Sequence, residues 1–158
     1  TGLRFSDYSR LTIDNIVNGN IEIKQQKTNE KVSIPLFRED IIKWIKNRDK
    51  YGKIFEQHLN KNIKEIARQA SIDNPIVVEY TKGGKRYSET KEKWQLISSH
   101  TGRRSFITNL YLWGITETKI MKILGYKNLK SFRRYEKLSL YEQAKLVKED
   151  LKKEGKIS

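Results

Sequence analysis

The sequence predicts an α+β domain, mostly α-helical, with one small antiparallel sheet near its start. Three observations carry that prediction. Residues 16–36 alternate apolar and polar side chains between two turn signals, the period of a strand. From residue 38 onward apolar residues recur at three- and four-residue steps, with a break over 72–98. Gly114 and Gly125 then cut the last third into helix-sized pieces. A chain of 158 residues suits one domain with a real core and is too short to expect two, so 1–158 is read as a single domain.

Taken in order, Leu3, Tyr8 and Leu11 stand near helical spacing and predict a short helix over 4–12. In the next segment Ile21 and Ile23 alternate with polar neighbours, as do Val32 and Ile34. Asn18-Gly19 and Thr28-Asn29-Glu30 supply the turns, so two or three antiparallel strands are expected, closed by Pro35. Ile41, Trp44 and Ile45 mark the buried face of a helix over 38–50, and Phe55, Leu59, Ile63 and Ile66 that of a helix over 55–71. Within 72–98, Ile76, Val77 and Val78 look strand-like and Gly83-Gly84 is a turn among lysines. An ordered hairpin and a mobile loop both remain open there. Beyond residue 100 the chain is helical: Phe106, Leu110 and Trp113 share a face, and Gly114 ends that helix. Thr116 is placed to cap the next helix, which buries Ile120, Ile123 and Leu124 and stops at Gly125. A short helix leads to Tyr135, and the last carries Leu140, Ala144, Val147 and Leu151 as an apolar stripe.

The formal net charge is +14, and its distribution says more than its size. Residues 100–137 carry 9 basic and 2 acidic side chains, half of the whole excess. A basic field focused in this way favours a polyanion such as nucleic acid, whereas a lysine-rich surface kept soluble by charge has no reason to cluster. With no cysteine there is no disulfide and no thiolate chemistry, and His58 and His100 are too few for a histidine-rich metal site. No apolar run approaches the ~20 residues of a membrane span, and no signal peptide is visible. The chain opens on Thr1 inside what reads as a motif, so a fragment of a longer protein is expected.

The basic segment also holds the chemistry. Arg103 follows His100 by three residues, so on a helix both side chains project the same way, while Arg104 points elsewhere. Arginine suits a phosphate because its planar fork grips two oxygens and stays charged. Tyr135 follows Arg133-Arg134 inside the dense basic cluster and offers a phosphate site there a nucleophile. Each residue has a plainer reading as well. Arg4 could form a surface ion pair with Asp7, Lys27 is one of three hairpin lysines with Lys24 and Lys31, His100 could only cap its helix, and Tyr135 could be a core aromatic. His58 has no motif around it and reads as a surface residue.

Four motifs, in order along nearly the whole chain, resemble the catalytic domain of the tyrosine recombinase (phage integrase) family. TGLR matches the family's first arginine motif and supplies Arg4, with Asp7 in the usual acidic companion position. QQKTNEKVSIPL matches the strand pair that carries the family's lysine, here Lys27. SHTGRRSF matches the histidine–arginine motif as His100 and Arg103, and ILGYKNLKSFRRYEK matches the segment ending in the nucleophile, Tyr135. The resemblance implies the family's fold and a site-specific integrase or recombinase. Arg4 and Arg103 would clamp the scissile phosphate, Tyr135 would attack it to give a 3′-phosphotyrosine, Lys27 would protonate the 5′-oxygen, and His100 would assist proton movement. No metal or nucleotide cofactor is implied, because the phosphotyrosine link conserves the bond energy.

One position departs from the family. Histidine or tryptophan usually follows the Leu-Gly pair, nine residues before the nucleophile, and Tyr126 stands here instead. A phenol can still donate to a phosphate oxygen, so altered rather than abolished chemistry is expected. Tyr126 is also a second possible nucleophile, although spacing and Arg133-Arg134 favour Tyr135. The partners implied are double-stranded DNA and three further copies of the chain, in a homotetramer formed by exchange of the C-terminal helix, with no membrane. The implied setting is a prokaryotic cytoplasm, at the nucleoid, and the family's N-terminal core-binding domain is not part of this sequence. Two other readings stand beside this one: a non-catalytic DNA-binding or architectural protein on the same fold, and a type IB topoisomerase.

Overall fold

Alternation in 16–36 produces the expected sheet. In the computed structural model, which describes residues 1–133, 140–153 and 155–156, three antiparallel strands lie in the order β1 (Ile16–Val17), β2 (Asn20–Lys24), β3 (Lys31–Pro35). Asn18 and Gly19 both take positive φ, 48° and 75°, which is the two-residue turn whose twist suits a hairpin. Register places Ile21 opposite Ile34 and Ile23 opposite Val32, and these four side chains are at most 4 % exposed. The other face of β2 and β3 is polar, so the sheet is buried on one side.

The chain divides into two compact units, Thr1–Tyr51 with Gly102–Ser158, and Gly52–Thr101. In the first, α1 (Phe5–Tyr8) is shorter than the predicted helix because Leu11 reaches the core after a turn rather than along a helix. Next comes α2 (Asp40–Lys46), followed by a 3-10 turn over Arg48–Tyr51. Ile45 is buried on α2, but Trp44 is 38 % exposed, since neighbouring helical residues point about 100° apart.

Helix α4 (Ser99–Leu112) buries Arg103, Ile107 and Leu110. Trp113, expected on that face, is 61 % exposed; it stands just past the helix end with its ring 5.9 Å from that of Phe37. Gly114 ends α4 as expected, at φ 76°, while the Ile115 amide donates to the Leu110 carbonyl at 3.0 Å. Thr116 occupies the N-cap position of α5 (Glu117–Leu124), but its hydroxyl meets that of Thr118 at 3.3 Å instead of a backbone amide. Helix α5 packs on β3 and buries Ile120 and Leu124. Then α6 (Leu129–Arg133) buries Phe132, and α7 (Leu140–Lys153) carries Val147 on an exposed flank. Leu3, Leu11, Ile21, Ile34, Ile107, Leu110, Ile120, Leu124 and Phe132 form one apolar cluster in this unit. Each such side chain contributes roughly 1.5–3 kcal/mol by leaving water.

The second unit holds α3 (Glu56–Gln69) and an ordered hairpin of β4 (Pro75–Lys82) and β5 (Lys85–Glu92), which resolves the alternative left open by the sequence. Lys82 pairs with Lys85 across Gly83-Gly84, whose positive φ values of 56° and 76° make the two-residue turn. On α3 the inward face is Leu59, Ile63 and Ala67, at steps of four. Phe55 and Ile66 are 56 % and 64 % exposed, contrary to the predicted face. On its outer side Arg68 and Gln69 bond Glu65 and hold that carboxyl down at about 2.

Candidate active site

Three of the predicted residues meet at a cleft of about 310 Å3 in the first unit, lined by Arg4, Lys27, Thr28, Gly125, Tyr126, Lys127, Asn128 and Ser131. They arrive from three segments. Arg4 has extended backbone just before α1. Lys27 is exposed in the β2–β3 turn, where the Gln25 amide donates to the Glu30 carbonyl at 2.8 Å. Asp7 fixes the same turn: its Oδ1 accepts from the Gln26 amide at 2.8 Å and from Arg10 Nη2 at 3.2 Å. The ion pair of Asp7 is therefore with Arg10, and the alternative pairing with Arg4 does not form.

Tyr126 is delivered by the end of α5. Gly125 turns the chain at φ 66°, and the Tyr126 amide donates to the Met121 carbonyl at 2.9 Å. Its ring packs edge-on against buried Phe132, 5.1 Å between centres, which fixes the ring plane. Arg103 lies behind it, 2 % exposed. Its Nε donates to the Tyr126 hydroxyl at 2.9 Å, Nη1 to the Gly2 carbonyl, and Nη2 to the Leu124 carbonyl at 3.3 Å. The guanidinium carbons of Arg103 and Arg4 stand 4.8 Å and 6.0 Å from the centre of the Tyr126 ring. The phenol thus lies near two cations and accepts a hydrogen bond from one of them.

Electrostatically the cleft suits an anion. Its lining holds Arg4, Lys27 and Lys127 and, among the described residues, no carboxylate; Lys127 is paired with Glu30 at 2.7 Å. Among the described residues no group of three or more His, Asp or Glu is arranged to hold a metal ion. No helix among them is long and apolar enough to cross a membrane.

The other predicted residues are placed differently. Arg103 is bonded to the cleft's Tyr126 but does not line the cleft. His100 is exposed on the first turn of α4, which belongs to the second unit. Tyr135 lies outside the described residues. Sequence reasoning missed Gln25, Lys127, Asn128 and Ser131. For Gln25 a signal existed: it continues the inward alternation of Ile21 and Ile23 at a position where a polar side chain needs partners.

The sequence model of the phage integrase family matches residues 1–141, which spans every motif discussed above. The chain belongs to the phage integrase family. It is a tyrosine recombinase catalytic domain by that membership, and so a member of a site-specific recombinase and integrase family that acts on DNA. No curated protein and no solved structure matches it.

Proposed function

We propose that this integrase-family chain cleaves and rejoins DNA strands at a specific site through a covalent 3′-phosphotyrosine, on the family's catalytic fold and with residues 1–158 acting as one catalytic domain. In this reading the Tyr135 hydroxyl oxygen forms a bond to phosphorus as the bond from phosphorus to the 5′-oxygen breaks. The tyrosine proton passes toward His100, and Lys27 gives a proton to the departing 5′-oxygen, so no charge is left on the leaving group. Arg4 holds the non-bridging oxygens. Tyr126 donates its phenolic proton to one of them while Arg103 polarises the phenol from behind, which delivers a buried charge to the transition state through one hydrogen bond.

The observation that carries the proposal is the convergence of Arg4, Lys27 and Tyr126 on one cleft without a lining carboxylate, with Arg103 bonded to Tyr126. Family membership supports DNA as the substrate. Full recombination joins two duplexes and requires four protomers; the exposed Ala144 and Val147 of α7 suit the exchange of that helix between neighbours.

The test incubates the full-length protein with a nicked suicide duplex carrying its site and looks for a covalent adduct on a denaturing gel. Wild type and Tyr126→Phe form it, Tyr126→Phe more slowly, and Tyr135→Phe forms none. Adduct in Tyr135→Phe but not in Tyr126→Phe would overturn the assignment of the nucleophile. No adduct in wild type would favour a DNA-binding protein without catalysis, and relaxation of supercoils by a monomer would favour a topoisomerase.

A further inference from the structure

Gln25 follows β2 on the face where Ile21 and Ile23 enter the core, and it is 1 % exposed. A buried amide is costly unless its polar atoms are bonded, and here the partners come from each segment that builds the cleft. Its Oε1 accepts from Arg4 Nη1 at 2.9 Å and from Thr28 Oγ1 at 2.8 Å. Its Nε2 donates to the Leu124 carbonyl at 2.9 Å, immediately before Gly125 and Tyr126. Chemistry dictates this orientation of the amide: arginine can only donate and a backbone carbonyl can only accept, so a flipped amide would break both bonds. The fit is also close, since a Cβ on Gly125 would stand 3.2 Å from Gln25 Oε1.

The partner's charge matters as much as its position. Arg10, Arg38 and Arg68 are each bonded to a carboxylate, of Asp7, Asp40 and Glu65. Arg4, like Arg48 and Arg103, bonds neutral oxygen instead: among the described residues its hydrogen-bond acceptor is the side-chain carbonyl of Gln25. A carboxylate there would hold the guanidinium more tightly and cancel its charge. An amide holds it and leaves the charge available.

We propose that Gln25 is a positioning residue that aims Arg4 into the cleft without neutralising it and locks that aim to the Thr28 turn and the Leu124–Tyr126 segment. The proposal rests on the reading that the cleft takes the scissile phosphate. Its test measures single-turnover adduct formation by the full-length protein on two nicked duplexes. One has an ordinary scissile phosphodiester, the other an uncharged methylphosphonate at the same place. Gln25→Met keeps the length of the side chain and removes its hydrogen bonds. Gln25→Glu keeps both accepted bonds, loses the one donated to the Leu124 carbonyl, and adds the neutralising charge.

Both variants are expected to lose about 10- to 100-fold on the phosphodiester, as misplaced or cancelled charge should. On the methylphosphonate, which has no charge to offset, both should come within about threefold of wild type. Equal losses on the two substrates would mean a merely structural role and overturn the proposal, as would wild-type rates on the phosphodiester. If Gln25→Met does not fold, shown by loss of its cooperative melting transition, Gln25→Glu alone decides. Wild type inactive on both duplexes would instead remove the phosphate reading of the cleft, and this proposal with it.

Discussion

Gly125 carries two demands at once. Its φ of 66° lies in the left-handed region, and a Cβ there would come within 2.8 Å of Val32 Cγ1 and close to Gln25. Replacement by alanine should therefore cost about 1–3 kcal/mol, and urea unfolding should show a lower midpoint with an unchanged slope. A stability within 0.5 kcal/mol or so of wild type would mean that β3 yields more readily than its packing implies. At this scale the family resemblance singled out Arg4 and Lys27, which line the cleft, and Arg103, which bonds Tyr126. Two things were missed. Helical spacing shows that Arg103 shares a side with His100, but not that its guanidinium turns inward onto the Gly2 and Leu124 carbonyls. Gln25 was overlooked because QQKTNE reads as a polar turn, although its first glutamine, one residue beyond β2, continues the inward alternation of Ile21 and Ile23.

Among the elements, the β4–β5 hairpin is exposed along nearly all of both strands. Tyr80 and Tyr87 are cross-strand partners with stacked rings 5.6 Å apart, and Lys82, Lys85 and Arg86 crowd the tip. A two-stranded ribbon fits the major groove, and a cationic tip suits its phosphate edges. Changing these three cations to alanine should weaken DNA binding. It should also flatten the plot of log affinity against log salt, by about one unit for each phosphate no longer neutralised, measured by fluorescence anisotropy. An unchanged slope would remove the ribbon from the DNA interface. The hairpin was only half legible, since seven of the eight residues of β5 are exposed and such a strand shows little apolar alternation. Helix boundaries followed Gly114 and Gly125 well, whereas helix faces were less secure. Ile66 and Trp113 obeyed the apolar period yet are exposed: Ala67 takes the inward position beside Ile66, and Trp113 stands past the end of α4.

At the scale of the whole molecule, the charge is of two physical kinds. The net +14 is mostly surface lysine and arginine, legible from composition, and mobile ions screen it over roughly 8 Å at physiological ionic strength. The division into two units was not legible, because no change of composition or run of Pro, Gly or Ser marks residues 51–52 or 101–102. Arg103 is the second kind of charge. It is out of reach of mobile ions, and its desolvation cost was met when the chain folded. On the proposed reading, surface charge attracts DNA and buried charge serves the cleavage step. Raising salt from 50 to 200 mM should lower affinity for DNA by orders of magnitude, about 10³-fold or more if six phosphates are contacted. The rate of strand cleavage at saturating protein should change by less than about threefold over the same range, in single-turnover measurements. A cleavage rate that fell in parallel with affinity would place the decisive charge on the surface. A rate that holds would instead make Arg103, in its buried setting, a private counter-ion: a charge the solvent cannot dilute, set aside for whichever phosphate reaches Tyr126.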